Sequence, residues 1–319
     1  MANSRKGAYG AMAYYTIGEL IRDARERQNY SQEELSYGIC AVSTLSRIEN
    51  GLQAPGKKIL DGLMQRLGVT DRVCNIYLSQ EEWERYELEQ QLAHSLGNRD
   101  FEQAEFFASN IERNIKKNPK KAQRLKMEEQ YLAFARALIQ EQKGKSMQWV
   151  LQELLGAIHM TMPDFDGVHI KARLLTYHEI AILNSIGCAY HSLGRALDGI
   201  QLLSELKGYM ETHILQDNEM SVTYPMVLQN LSSWLGKTGM CKDALALCQA
   251  GIDYCIKYGK LHTFPMLLCN KACALAELGQ HDMSREFFLQ SSAVFQAVNQ
   301  QEHAEQVKRY ARTHYGIRI

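Results

Sequence analysis

Ser31-Gln32-Glu33-Glu34-Leu35-Ser36-Tyr37-Gly38-Ile39-Cys40-Ala41-Val42-Ser43-Thr44-Leu45-Ser46-Arg47-Ile48-Glu49-Asn50-Gly51 is the stretch that decides the fold. Ser31 is a helix-capping residue and Glu34 follows three positions later, the spacing at which each side chain reaches the other's backbone amide. The pattern predicts a helix from Gln32 to about Tyr37, with Gly38 supplying a tight turn. A second helix is predicted over Ser43–Glu49, with Val42, Leu45 and Ile48 facing inward. Asn50-Gly51 stops it, because both residue types accept the left-handed backbone that follows a helix. Upstream, Ile17, Leu20, Ile21 and Ala24 form an apolar stripe at helical spacing. Downstream, helices are predicted over Gly56–Leu67 and Asp71–Leu78.

The rest of the chain bounds the possibilities. With 319 residues, two domains are expected. Lys+Arg 36 balance Asp+Glu 36, so there is no basic or acidic tail to suggest nonspecific coating of a polyanion. No apolar run is long enough for a membrane span, and Met1–Tyr15 lacks the apolar core of a signal peptide, so a cytoplasmic chain is expected with 1–15 as a flexible leader. Eight cysteines fit a reducing compartment and are expected to be buried small hydrophobes. Their spacing contains no CxxC pair, so no metal site is expected. There is no Gly-rich phosphate loop, HExxH or nucleophile elbow, so neither an enzyme nor a cofactor is expected. His178 beside Glu179 is not a dyad, since adjacent helical residues point apart. Asp164-Phe165-Asp166-Gly167 lacks the later ligands of a calcium loop and reads as a loop cap.

Two short helices joined by a tight turn are what a helix-turn-helix needs. Gln32-Glu33-Glu34-Leu35, Gly38-Ile39-Cys40 and Ser43 through Gly51 resemble the lambda-repressor-like family. More narrowly, the Gly-Ile-Cys turn followed by Ser-x-Leu-Ser-Arg-Ile-Glu-x-Gly resembles the PlcR and Rgg group of Gram-positive regulators. The resemblance covers about 55 residues and implies a five-helix DNA-binding domain over 16–72. Its second helix enters the major groove, and of its outward positions Ser43, Thr44 and Arg47 are the expected base contacts. An arginine there pairs bidentately with guanine. Gln32 matches the family's glutamine that bridges phosphate and recognition helix. Asn50, Lys57 and Lys58 are candidate phosphate contacts, and Glu49 is expected to hold the fold by an internal ion pair. Residues 17–70 carry seven basic and seven acidic side chains. One copy should bind DNA weakly, so a homodimer on a palindromic operator is expected.

After a linker at 73–80, residues 81–319 change to long amphipathic helices. Asn184 to Gly194, Asn230 to Gly239 and Asn270 to Gly279 are self-similar: an Asn and small residues precede a helix-ending Gly, and a second helix follows. The Gly-to-Gly periods are 45 and 40. Small residues (Gly187, Ala189, Ser232, Ala272, Ala274) should let helices approach closely. The pattern resembles tetratricopeptide repeats. The chain is therefore expected to be all-α: the lambda-repressor-like five-helix domain followed by a right-handed superhelix of about five tetratricopeptide-like hairpins. Weaker copies should begin near Phe101 and Tyr131, and Tyr310–Ile319 should cap the end.

A stack of such hairpins encloses a concave groove lined by the first helices. Asparagines suit an extended peptide there, since each amide offers a donor and an acceptor to unpaired backbone. Asn230 and Asn270 stand nine residues before their glycines and Asn184 ten, so Asn184 shares their face only if its turn is a residue longer. This layout resembles the peptide-pheromone receptors, in which concave-face asparagines hold a short signalling peptide. The resemblance implies peptide contacts at Asn184, Asn230 and Asn270, with Tyr131, Arg173, Tyr177 and Gln229 as further candidates. It implies a peptide-gated, quorum-sensing transcription regulator. The alternative is a helix-turn-helix regulator whose repeats dock a protein partner.

Overall fold

Helices begin at side-chain caps at Ser31, Ser146 and Thr176. The computed structural model describes residues 17–68, 80–97, 99–117, 126–170, 174–213 and 220–319; among these every regular element is helical. The chain divides between Trp83 and Glu84 into two compact units.

The first unit contains α1 (Ile17–Arg27), α2 (Gln32–Ser36), α3 (Val42–Glu49) and α4 (Lys57–Arg66). The capping box at α2 is complete: Glu34 N donates to Ser31 Oγ (3.1 Å) and Ser31 N to Glu34 Oε2 (2.7 Å). Gly38 takes φ 75° and Gly51 φ 68°, so both predicted stops use the left-handed conformation. Ile21, Leu35, Ile39, Leu45, Ile48, Leu60 and Leu63 form the core. Two expectations need correction. Val42 is 43% exposed rather than inward. It lies on the correct side of α3 by angle but one turn too far along the axis, because α1 closes on the other end of α3. There Gly18 packs so tightly that a Cβ would stand 1.9 Å from the Ile48 carbonyl oxygen. For the same reason the buried face of α1 is Gly18, Ile21 and Arg25, while Ile17, Leu20 and Ala24 are only half-buried. The leader 1–15, the helix expected over Asp71–Leu78 and most of the 73–80 linker lie outside the described residues.

The second unit is a row of helical hairpins. Following α5 (Gln80–Gly97) and α6 (Phe101–Lys117), the pairs are α7 (Lys126–Gln142) with α8 (Met147–His159), α9 (Tyr177–Ser192) with α10 (Ala196–His213), α11 (Met220–Lys237) with α12 (Cys241–Tyr258), and α13 (Phe264–Glu277) with α14 (His281–Ala297). A last helix, α15 (Gln301–Tyr315), packs on the final pair. It begins nine residues before the expected cap and seals the end through Ala304, Val307 and Ala311, with Ile317 of the following tail, whereas Tyr310 is exposed.

The hairpins turn at Gly194, Gly239 and Gly279, with φ of 79°, 85° and 76°, a conformation that glycine adopts without steric cost. Close packing follows from the small residues. A Cβ on Gly187 would meet Leu203 Cδ1 at 2.0 Å, and Ala189, Ser232, Ala272 and Ala274 are all buried. One apolar core runs from Leu92 in α5 to Leu268 in α13. Successive first helices touch one another, α7 with α9, α9 with α11, α11 with α13 and α13 with α15; successive second helices do not touch to the same extent. The row therefore curves toward its first helices, and these form the inner wall.

Between α8 and α9, Asp166 caps the loop as expected. Its Oδ1 accepts from Val168 N (3.0 Å) and His169 N (2.8 Å), and these amides hold its carboxyl down at about 2.

Candidate functional site

Two sites take shape, one in each unit. In the first, α3 presents Ser43 and Arg47 to solvent, four residues apart on one face, with Thr44 half-buried beside them. The opposite face, Leu45, Ile48 and Glu49, is buried. The N-cap residue Ala41 offers no side-chain acceptor, so the first-turn amides of α3 point outward without a side-chain cap. A helix end of this kind attracts anions through its exposed N–H groups and dipole. The Arg47 side chain makes no bond to any described residue.

The face is held by a buried ion pair. Glu49 is 1% exposed and receives Arg25 Nε at 2.7 Å and Arg25 Nη2 at 2.9 Å. Gln32 Nε2 donates to the same carboxylate at 2.7 Å. Gln32 thus ties the start of α2 to the end of α3, and Glu49 has the internal role expected of it. The bond to Glu49 also raises the Arg25 pKa, keeping that guanidinium charged.

The expected phosphate contacts fare differently. Asn50 is engaged inside the unit: its Nδ2 donates to Ser46 O (2.8 Å) and its Oδ1 accepts from Arg22. Lys57 pairs with Asp61 one turn along (2.6 Å), and Lys58 is half-buried. Sequence reasoning missed the roles of Arg25 and Arg66, which entered it only in the count of basic side chains. Arg66 is buried and donates to the carbonyls of Leu35 (3.2 Å) and Tyr37, closing the end of α2. No local spacing announces either role, because each partner is more than twenty residues away in sequence.

In the second unit the three predicted asparagines stand on successive first helices, and two of them, Asn184 and Asn230, touch. Asn230 of α11 donates from Nδ2 to Asn184 Oδ1 (3.2 Å) and to Cys188 Sγ (3.3 Å), both on α9. Asn184 Nδ2 points at Met226 Sδ (3.8 Å). Asn270 of α13 donates to Gln229 O (2.9 Å) and Ser232 Oγ (3.0 Å) of α11. Asn184 is nonetheless turned further into the core than the other two: it is 6% exposed where Asn230 and Asn270 are half-buried, and α9 ends two residues before its glycine just as α11 and α13 do, so the longer turn that would bring it onto their face is absent. Two of these acceptors are sulfurs, which bind N–H groups weakly. Among the described residues the Oδ1 atoms of Asn230 and Asn270 accept nothing. At Asn184 and Asn230 the wall thus carries amide donors partly on sulfur, and at Asn230 and Asn270 open carbonyl acceptors.

The remaining candidates divide. Gln229 and Tyr177 are half-buried on the same inner helices. Tyr131 is buried, stacked against the His178 ring at a centroid distance of 4.1 Å, so its ring supports the wall rather than lining it. Arg173 lies outside the described residues. The seven described cysteines are free thiols; Cys241, Cys248, Cys255 and Cys269 are buried as expected, whereas Cys40, Cys188 and Cys273 are only half-buried. Among the described residues no cluster of side chains is arranged to hold a metal ion.

These two sites define the class. Residues 21–73 match the helix-turn-helix family. Over nearly its whole length the chain is similar in fold to two solved regulators. One is Bacillus thuringiensis PlcR in complex with the peptide PapR7 and DNA, at 17% identity, TM-score 0.56, covering 91% of this chain and 98% of that one. The other is the competence regulator ComR of Streptococcus vestibularis in complex with its cognate signalling peptide XIP, at 16% identity, TM-score 0.51, covering 94% and 98%. Among curated proteins none matches the chain. At these identities the likeness establishes the architecture, a helix-turn-helix followed by helical repeats.

Proposed function

We infer that this chain is a sequence-specific DNA-binding transcription regulator whose repeat unit takes a short signalling peptide along its inner wall. The observation that carries the reading is the placing of Asn184, Asn230 and Asn270 on successive first helices, Asn184 and Asn230 in contact, with sulfur among the acceptors of those two and open Oδ1 acceptors on Asn230 and Asn270. An extended peptide exposes alternating N–H and C=O groups and would exchange sulfur partners for carbonyl ones. Both similar structures named above hold a signalling peptide, which adds support.

In the first unit, Arg47 and Ser43 read base edges, Thr44 supports them, and the uncapped start of α3 faces phosphate. Gln32 contributes through its anchored position. Lys57 and Lys58 lie in the first turn of α4 as phosphate contacts, and Asn50 serves α3 itself. The nearly neutral first unit needs a second copy for useful affinity, so the working form is a homodimer on a palindromic site. No helix among the described residues is long and apolar enough to cross a membrane, which suits a regulator acting at DNA in the cytoplasm. Peptide controls DNA binding to the extent that it binds two arrangements of the protein with different affinity.

The test is selection of bound fragments from a random DNA pool, with and without a peptide extract of the source culture. A palindromic consensus whose enrichment changes with extract supports the full reading. A consensus indifferent to extract leaves the regulator but moves the repeats to docking a protein partner. Absence of any consensus overturns it.

A further inference from the structure

The sequence is neutral overall, yet its last fourteen residues, 306–319, hold Lys308, Arg309, Arg312 and Arg318 and no acidic residue. The fold gathers these charges. Glu305, Lys308, Arg309, Arg312, Arg318 and Ile319 line a cleft of about 560 Å³ between α15 and the tail that follows it. Gly316, at φ 68°, turns the tail back, and Ile317 anchors it in the terminal core. Arg285 Nε of α14 donates to the Arg318 carbonyl (3.1 Å), fixing the tail from the other side.

Within the cleft only Lys308 has a carboxylate, Glu305 at 2.8 Å. The side chains of Arg309, Arg312 and Arg318 make no hydrogen bond or ion pair with any described residue. Three uncompensated guanidiniums around one concavity is an unusual disposition, since like charges repel and an ordinary solvated face mixes signs. A stripe would suit an extended polyanion such as a nucleic-acid strand; convergence on one cleft suits a compact ligand. The planar guanidinium fork binds phosphate oxygens bidentately. We propose that this cleft is a binding site for a compact polyphosphate-bearing ligand of three or more negative charges, separate from both the α3 face and the asparagine wall.

The experiment is calorimetric titration of the full chain with inorganic tripolyphosphate. Citrate serves as a compact carboxylate trianion and sulfate as a dianion, so that charge and phosphate chemistry can be separated. The proposal expects saturable one-to-one binding of tripolyphosphate that weakens with added salt, at least tenfold tighter than citrate. The exposed pair Arg309→Ala with Arg312→Ala should lower affinity tenfold or more with helix content unchanged by circular dichroism. Arg312→Lys should lose less, and Glu305→Gln should bind about threefold tighter by releasing Lys308. Arg47→Ala should leave this binding unaltered. Absence of saturable binding, equal affinity for citrate, or undiminished binding in the double variant would each overturn the site.

Discussion

Replacing Glu49 by Ala should open the first unit while leaving the second intact, and the size of the effect follows from its contacts. The carboxylate is fully desolvated and takes three hydrogen bonds, two of them from Arg25 and one from Gln32. Removing one member of a buried ion pair costs about 3–5 kcal/mol, chiefly because the other charge remains unpaired. Here Arg25 keeps the Tyr30 carbonyl at 2.8 Å and can turn further toward Glu26, now 3.5 Å away. That places the loss at the lower end, about 3 kcal/mol, or roughly a hundredfold in the opening equilibrium. Hydrogen exchange on the intact chain reads this directly, as faster exchange of protected amides over residues 17–68 and no change in α9–α14. The pair can also be replaced as a whole. Arg25→Met with Glu49→Leu should return stability to within about 1 kcal/mol of the parent, since well-packed apolar side chains avoid the desolvation of both ions. The reasoning fails if Glu49→Ala leaves protection within about 0.5 kcal/mol of the parent, or if the double variant loses the sum of the two single effects.

Arg47→Ala should leave stability unchanged, because the side chain touches no described residue, yet cost about 1–3 kcal/mol of discrimination at one base position; anisotropy titrations against an operator and its point variants measure it. Gly18→Ala meets backbone at Ile48 and should cost about 2–3 kcal/mol. Gly187→Ala meets only the end of the Leu203 side chain, and the gain in helix propensity should hold its cost to about 1 kcal/mol; hydrogen exchange over each unit distinguishes them, and equal losses would refute the distinction. Asn230→Ala should abolish the peptide-dependent change in DNA enrichment while costing about 1 kcal/mol of stability for the unpaired Asn184 carbonyl. Burial pushes the thiols of Cys188 and Cys248 up to about 12 and that of Cys40 to about 11, so they should resist iodoacetamide at neutral pH. Cys273 is held below its ordinary value, first by the bond from Cys269, and should be labelled before Cys40, Cys188 and Cys248 in a mass-spectrometric time course.

How much of this the sequence disclosed depends on the range of the interaction. The helix-turn-helix was legible because its signals are local: Ser31 and Glu34 are three residues apart, and Gly38 and Gly51 occupy left-handed turns that glycine favours. The inward face of α1 was not, because its makers are a glycine admitting a backbone and an arginine buried by a carboxylate twenty-four residues away. Hydropathy assigns neither to a core. The repeats were legible through their glycines, while the exact face was not. Counting residues put Asn184 about 100° from Asn230 and Asn270, yet Asn184 and Asn230 touch. Asn230 settles between Asn184 and Cys188, one helical turn apart on α9, whereas Asn270 settles against the Gln229 carbonyl and Ser232. The same residue type is thus held by a side-chain amide and a thiol in one repeat, and by backbone and a hydroxyl in the next. A ligand displacing these partners would release Asn230 from one amide oxygen and a weak sulfur acceptor, and Asn270 from a carbonyl and a hydroxyl at greater cost. The end of the wall near Asn184 and Asn230 should therefore be the first to engage an incoming peptide, a difference that no count of positions in the sequence could expose.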